Sequence, residues 1–332
     1  MKDIISVIKT IINYYKEYKC YNFYVSIENA ENFLKKIKNN FIFGEHENLI
    51  SNQKISTINN LNKIKEFSDI GSISIERFKT QISLSIFKNR EFPYLKELIL
   101  KNAKINDIGP LFSCEFPVLE KLNFENNKID NRIIDFLKVK KLPKITYISL
   151  YVNKITDLEI FNVINKFKTL TSFHIGENKF DFKTNTKSQY KFPESLIELG
   201  LTGNFDGKNS EFVKQLDISN LKTFYFSRNN LKDLKNLESI KFTQLNKLWV
   251  ISNQITDIKE IKKIKNKKDL TILNLKDNKI NNFNELSEAI KDFISLKELT
   301  VSLNGITKEE VEEMKNTIKK QHKRDVNIYI DK

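Results

Sequence analysis

The stretch Leu245–Ile255 reads LNKLWVISNQI. Apolar residues hold its first, fourth, sixth and eleventh positions, and an asparagine holds the ninth. Alternation across Leu248 and Val250 is the period of a strand with one buried face. An asparagine three residues after Val250 marks the turn that leaves such a strand. The fifth position is Trp249, the only tryptophan of the chain.

The same pattern recurs on both sides of this stretch. It reads LKELILKNAKI from Leu95, LEKLNFENNKI from Leu119, ITYISLYVNKI from Ile145, LTSFHIGENKF from Leu170 and LIELGLTGNFD from Leu196. It continues as LKTFYFSRNNL from Leu221, LTILNLKDNKI from Leu270 and LKELTVSLNGI from Leu296. Successive starts are 24 to 26 residues apart, a steady period of the kind that specifies a stack of small units rather than separate domains. The ninth slot is Asn127, Asn153, Asn178, Asn204, Asn229, Asn253, Asn278 and Asn304; only the first unit departs, with Ala103. An inward amide there can bond the backbone of the turn, and alanine implies an imperfect turn. A degenerate unit, Ile70, Ile73, Ile75 and Phe78, precedes these, and Leu49–Ile58 echoes the motif off its spacing.

This pattern is similar to that of the leucine-rich repeat family, L-x-x-L-x-L-x-x-N-x-L, and the resemblance covers residues 95–306. After each strand, segments such as DNRIIDFLKVKKL place apolar residues near helical spacing. The expected fold is α/β: a right-handed leucine-rich repeat solenoid, or horseshoe, with a parallel sheet on its concave face and helices or 3-10 segments on its convex face. Residues 1–69 form a helical N-terminal cap and degenerate lead-in, 70–306 about ten repeats, nine of them clear from 95, and 307–332 a capping helix and strand. An amphipathic helix lying on a membrane is the rival reading of the first segment. The closing helix, opened by Thr307, and the strand at 326–330 resemble the ends of ribonuclease-inhibitor-like repeat proteins.

The remaining composition bounds the chemistry. Cys20 and Cys114 cannot supply a disulfide framework or a four-ligand zinc site. No Asn-x-Ser/Thr sequon follows any of 40 asparagines, no signal peptide or transmembrane segment is read, and a cytoplasmic or nuclear location is expected. His46, His174 and His322 lie far apart, and neither cysteine has a motif partner for nucleophilic catalysis. Gly203–Ser210 lacks a glycine at Thr202 and a hydroxyl at Asn209, so it is not a phosphate loop. A non-enzymatic protein with no cofactor, metal or small-molecule substrate is therefore expected. The resemblance also suggests a GTPase-activating role, but Arg77, Arg90, Arg132 and Arg228 stand isolated and supply no evident catalytic arginine.

The resemblance also implies protein recognition through the concave face. By the period-two rule the third, fifth and seventh motif positions point outward. They hold four lysines (101, 121, 247, 276) and four glutamates (97, 125, 198, 298), so this face is near neutral although the chain carries +14. Large apolar and aromatic side chains appear among them in two clusters, Tyr147 with Tyr151, and Tyr225 with Trp249, Ile251 and Ile272. Exposed rings in neighbouring repeats mark a partner site; the bland alternative is rings packing on one another along the sheet. His174, with Gly176 and Gly200 beside it, lies between the clusters and leaves room for a protruding partner side chain. The excess charge falls on Lys262, Lys263, Lys265, Lys267 and Lys268, and on Lys319, Lys320, Lys323 and Arg324. That basic surface carries the alternative reading, a structural or regulatory subunit of a ribonucleoprotein or other large assembly that contacts RNA, although nucleic acid is the less favoured partner and lysine usage also follows genome composition.

Overall fold

The computed structural model of the chain describes residues 40–44, 71–76, 81–184, 189–207, 209–323 and 325–330. Twelve of its strands join in one parallel sheet: β1 (Asn40–Gly44), β2 (Ser72–Glu76), β3 (Glu97–Lys101), β4 (Lys121–Asn123), β5 (Tyr147–Ser149), β6 (Ser172–His174), β8 (Glu198–Gly200), β10 (Thr223–Tyr225), β11 (Lys247–Trp249), β12 (Ile272–Asn274), β13 (Glu298–Thr300) and β14 (Asn327–Tyr329). Strand order follows chain order. A two-stranded pair, β7 (Tyr190–Lys191) with β9 (Leu216–Asp217), stands outside it.

The register follows the motif. Leu248 pairs Phe224 on one side and Leu273 on the other, so equal motif positions stack in columns. The fourth and sixth positions from Leu98 and Leu100 through Leu299 and Val301 are all 0% exposed. Behind the sheet they meet α1 (Arg132–Val139), α2 (Glu159–Ile164), α3 (Lys235–Glu238), α4 (Phe283–Ile290) and 3-10 segments such as Lys259–Lys263. The α1 helix turns Ile133, Ile134, Phe136 and Leu137 inward, as its spacing predicts. Phe161 on α2 sits within 6 Å of Phe180, Tyr190, Phe192 and Phe212, so rings fill the core where β7 and β9 are added.

Each turn after a strand is built the same way. The residue before the asparagine slot is left-handed in all nine units: Asn102, Asn126, Val152, Glu177, Gly203, Arg228, Ser252, Asp277 and Leu303 have φ between 52° and 69°. The asparagine side chain then ties two repeats together. Asn153 Oδ1 accepts from the Ile129 amide at 3.0 Å, and its Nδ2 donates to the carbonyls of Phe124 at 2.9 Å and Leu150 at 3.1 Å. In mid-chain the amides of Asn178, Asn204 and Asn229 each donate to the Oδ1 of the next repeat's asparagine. The Ala103 turn is held from outside, because Asn127 Oδ1 accepts from the amides of Ala103 and Ile105, and a second residue there, Lys104, is also left-handed.

At the C-terminal end, Thr307 opens α5 (Lys308–His322) with a reciprocal capping box to Glu310, and α5 lays Val311, Met314 and Ile318 on the core. A strand at 40–44 lies within the segment read as cap and lead-in. It starts 32 residues before β2 rather than one repeat, since 72 − 40 = 32, and carries no motif asparagine. The two apolar helical stripes read within 1–39 and the echo at Leu49–Ile58 lie outside the described residues.

Two outcomes follow. Asn153→Ala strands the buried Ile129 amide, while the Phe124 and Leu150 carbonyls keep the side-chain amides of Asn127 and Asn178, and chemical denaturation should show a loss of about 2 kcal/mol. Val152 holds φ 53° although β-branched, whereas the two preceding repeats place asparagine there. Val152→Asn should raise the denaturation midpoint, by about 1 kcal/mol, because asparagine adopts this region at lower steric cost.

Candidate interaction face

Register places the outward residues where the alternation requires. Tyr225, Trp249 and Asn274 stand side by side on β10, β11 and β12, with Lys247 and Ile272 adjacent in the next column. At the N-terminal end Lys101 pairs Glu125 at 2.9 Å, Ser72 donates to Glu97 at 3.1 Å, and the Lys121 ammonium lies 5.4 Å from the Tyr147 ring centroid. Burial raises the Tyr147 and Tyr151 hydroxyls above the ordinary tyrosine range.

The middle of the face differs from the rest. Repeat five carries glycine at Gly200 and Gly203, and repeat four carries Gly176, so those slots have no side chain. Neighbours lean into the space. A Cβ on Gly176 would meet the Tyr151 ring at 2.9 Å, one on Gly200 would meet His174 Nδ1 at 2.5 Å, and one on Gly203 would meet the Glu177 carboxylate at 2.6 Å. His174 therefore reaches across β8 to Tyr225, ring centroids 5.7 Å apart, and Arg228 Nη1 donates to Glu177 Oε1 at 3.0 Å over the same 51-residue step. Arg228 also bonds Tyr151. Ordinary contacts on this sheet link adjacent repeats; these two skip one.

The rings form a continuous row. Tyr147 and His174 lie 5.6 Å apart and tilted, His174 and Tyr225 follow, and Tyr225 and Trp249 stack at 4.6 Å with planes 22° apart. The space read at Gly176 and Gly200 is accordingly filled by Tyr151 and His174 of the chain itself, and Arg228 is bonded rather than isolated. Trp249 points outward but is half-buried, one face covered by Tyr225. Ile251 and Ile272 are half-buried beside it.

Ser172, His174 and Glu198 also meet. His174 Nε2 lies 3.0 Å from Ser172 Oγ and 2.9 Å from Glu198 Oε1. A nucleophilic triad needs the hydroxyl and the carboxylate on opposite ring nitrogens. Here both use Nε2 while Nδ1 faces Gly200, so the arrangement orients the ring and does not activate Ser172. The bond from His174, ahead of weaker help from Ser172 and Lys247, holds the Glu198 carboxyl below the usual glutamate range. Among the described residues no group of three or more His, Cys, Asp or Glu is arranged to hold a metal ion, and no helix is long and apolar enough to cross a membrane.

The convex lysines are largely matched. Lys262 pairs Glu288 at 3.4 Å, Lys263 pairs Glu238 at 2.9 Å and Lys267 pairs Asp292 at 3.0 Å, each across one repeat. Bonding to Glu238 raises the Lys263 ammonium, and the Lys267 bond lowers the Asp292 carboxyl. Lys265 and Lys268 remain exposed, Lys319 pairs Asp325 at 3.1 Å, Lys320 and Lys323 are exposed, and Arg324 lies outside the described residues. Sequence reading did not find Glu177, Ser172 or this charge matching. The signals were present as glycines in outward slots and as opposite charges about one repeat apart.

The model described as "Leucine Rich repeats (2 copies)" matches residues 219–263, around Trp249. The fold, with its columns of equal motif positions on one parallel sheet, is a leucine-rich repeat solenoid. No curated protein matches it by sequence. Among solved structures this repeat protein is similar to an internalin, inlF, from Listeria monocytogenes (17% identity, TM-score 0.43), over 85% of this chain and 91% of that one. It is similar to the leucine-rich repeat domain of APL1B (15%, 0.49), over 85% and 89%, and to a chain of a TLR13–ssRNA13 complex (17%, 0.49), over 79% and 41%. At these identities the likeness is one of fold.

The sole tryptophan reports on the row directly. Emission from the protein should be intermediate in wavelength and only partly quenched by iodide. Tyr225→Ala should shift it to the red and raise quenching, because the stacked face of Trp249 becomes wet.

Proposed function

We propose that this protein is a non-enzymatic interaction module or scaffold that binds a partner protein through the outward face of its sheet. Leucine-rich repeat proteins commonly mediate protein association, which supports the class. The observation that carries the choice of face is the row Tyr147, His174, Tyr225 and Trp249, fixed by contacts that cross repeat five. Tyrosine, tryptophan and arginine are the side chains that most often dominate binding energy at interfaces. Rings already ordered by their own packing lose little entropy on docking. The bland reading, rings packed only on one another, accounts for the stacking but not for the half-exposed edges and unbonded polar atoms left on Tyr225 and Trp249.

No specific observation favours an RNA-binding surface, since Lys262, Lys263 and Lys267 already face carboxylates. The buried, free thiol of Cys114 suits a reducing compartment, in keeping with cytoplasmic or nuclear partners.

A pull-down read by mass spectrometry tests the reading. Tyr225→Ala/Trp249→Ala should lose the partner that wild type captures while unfolding changes by no more than about 2 kcal/mol. Lys265→Glu/Lys268→Glu should keep it. Loss through the lysine pair, with the ring variant unaffected, would overturn the proposal.

A further inference from the structure

Resting on the face just assigned, the chemistry around Trp249 narrows the partner. Tyr225 and Trp249 each cover one face of the other and stay half-exposed, and aromatic edges carry the positive rim of the ring quadrupole. Neither the Tyr225 hydroxyl nor Trp249 Nε1 makes a hydrogen bond within the described residues. On the same strand, one outward slot before Trp249, stands Lys247, exposed and without an ion pair there; Lys222 is likewise exposed and unpaired. One outward slot after Trp249 stands Ile251.

Available acceptors are few. Glu198 is held by His174 and lies two strands from Lys247, whose charge it feels without forming an ion pair, and Asn274 Oδ1 accepts from the Lys276 amide at 3.1 Å. Glu298 lies two strands from Lys247, about 10 Å by strand spacing, where an exposed pair is largely screened. Asp277 is at the rim beyond Lys276.

The patch thus runs from an ammonium, past two unbonded donors and positive ring edges, to an apolar end. We infer that it receives an acidic, apolar segment of a partner protein, a carboxylate on Lys247 beside the Tyr225 and Trp249 donors and an aliphatic side chain on Ile251. An extended partner segment lying over the outward face of β11 has these two groups about 13 Å apart, four residues in a strand. A single-stranded nucleic acid would instead need cations in several adjacent outward slots, and Lys247 is flanked in its column by Thr223 and Ile272.

The test uses the full chain and soluble peptides of about twelve residues in which leucine alternates with glutamate, glutamine or lysine, together with oligouridylate. Binding is followed by Trp249 emission and by calorimetry, at about 0.05 and about 0.5 M salt. The glutamate peptide should bind about tenfold tighter than the glutamine peptide, lose that advantage in high salt, and lose it in Lys247→Glu, an exposed change that leaves folding intact. Equal binding of glutamate and glutamine peptides, preference for lysine or oligouridylate, or binding by none would overturn the inference. Equal peptide binding that Tyr225→Ala/Trp249→Ala abolishes leaves the face standing and removes only its acidic specificity. Partner capture indifferent to that double variant removes both.

Discussion

Everything on the outward face depends on the side-chain amide of the asparagine that fills the turn slot in eight of the nine clear repeats. A parallel strand that turns after a few residues leaves backbone donors and acceptors inside the solenoid, where water cannot reach them, and each unmet group costs about 1 to 3 kcal/mol. Asn153 answers an amide of the repeat before it and carbonyls of both repeats at once. The bond therefore fixes register as well as satisfying the turn. Slippage by one residue would orphan these groups and would also turn the 0% exposed leucines outward.

Register is what allows side chains far apart in sequence to act together. Once equal motif positions are stacked, the fate of an outward residue is set by its neighbours in the column. Where the neighbour is a lysine or glutamate, an ordinary pair forms across one repeat, as between Lys101 and Glu125. Where the neighbour is Gly200 or Gly203, nothing fills the slot, and residues from either side meet over bare backbone. His174 with Tyr225 and Glu177 with Arg228 are consequences of missing side chains. A Cβ at Gly200 would stand 2.5 Å from His174 Nδ1, so the ring row and the glycine exclude any compromise residue.

These layers were unequally legible in the sequence. The repeats could be read because one local signal, Leu248 and Val250 alternating before Asn253, recurs with little drift. Trp249 could be placed outward from the same alternation, and its strand partners followed. Its half-burial could not, because exposure depends on which ring the neighbour supplies and how the two stack. The bridge over repeat five escaped because a glycine in an outward slot reads as open space, whereas a packed surface closes it. The charge matching of the convex lysines escaped for a related reason: a run such as Lys262–Lys268 looks basic along the chain, yet the carboxylates that meet Lys262, Lys263 and Lys267, on Glu288, Glu238 and Asp292, lie about one repeat away.

In the proposed binding role, the same logic makes the face selective rather than merely sticky. Rings that stack on one another remove apolar area from water without a partner, which lowers the patch's tendency to associate indiscriminately. What remains exposed is edge, hydroxyl, indole N–H and ammonium, groups whose bonds have direction and sign. A partner that leaves them unmet meets a desolvation cost on closing the interface, so discrimination arises from unmatched donors more than from buried area. The glycines contribute to this at a distance. By letting His174 and Arg228 lock the centre of the face, they keep the donors of Tyr225 and Trp249 in one geometry, so that a wrong partner cannot be accommodated by repacking the rings.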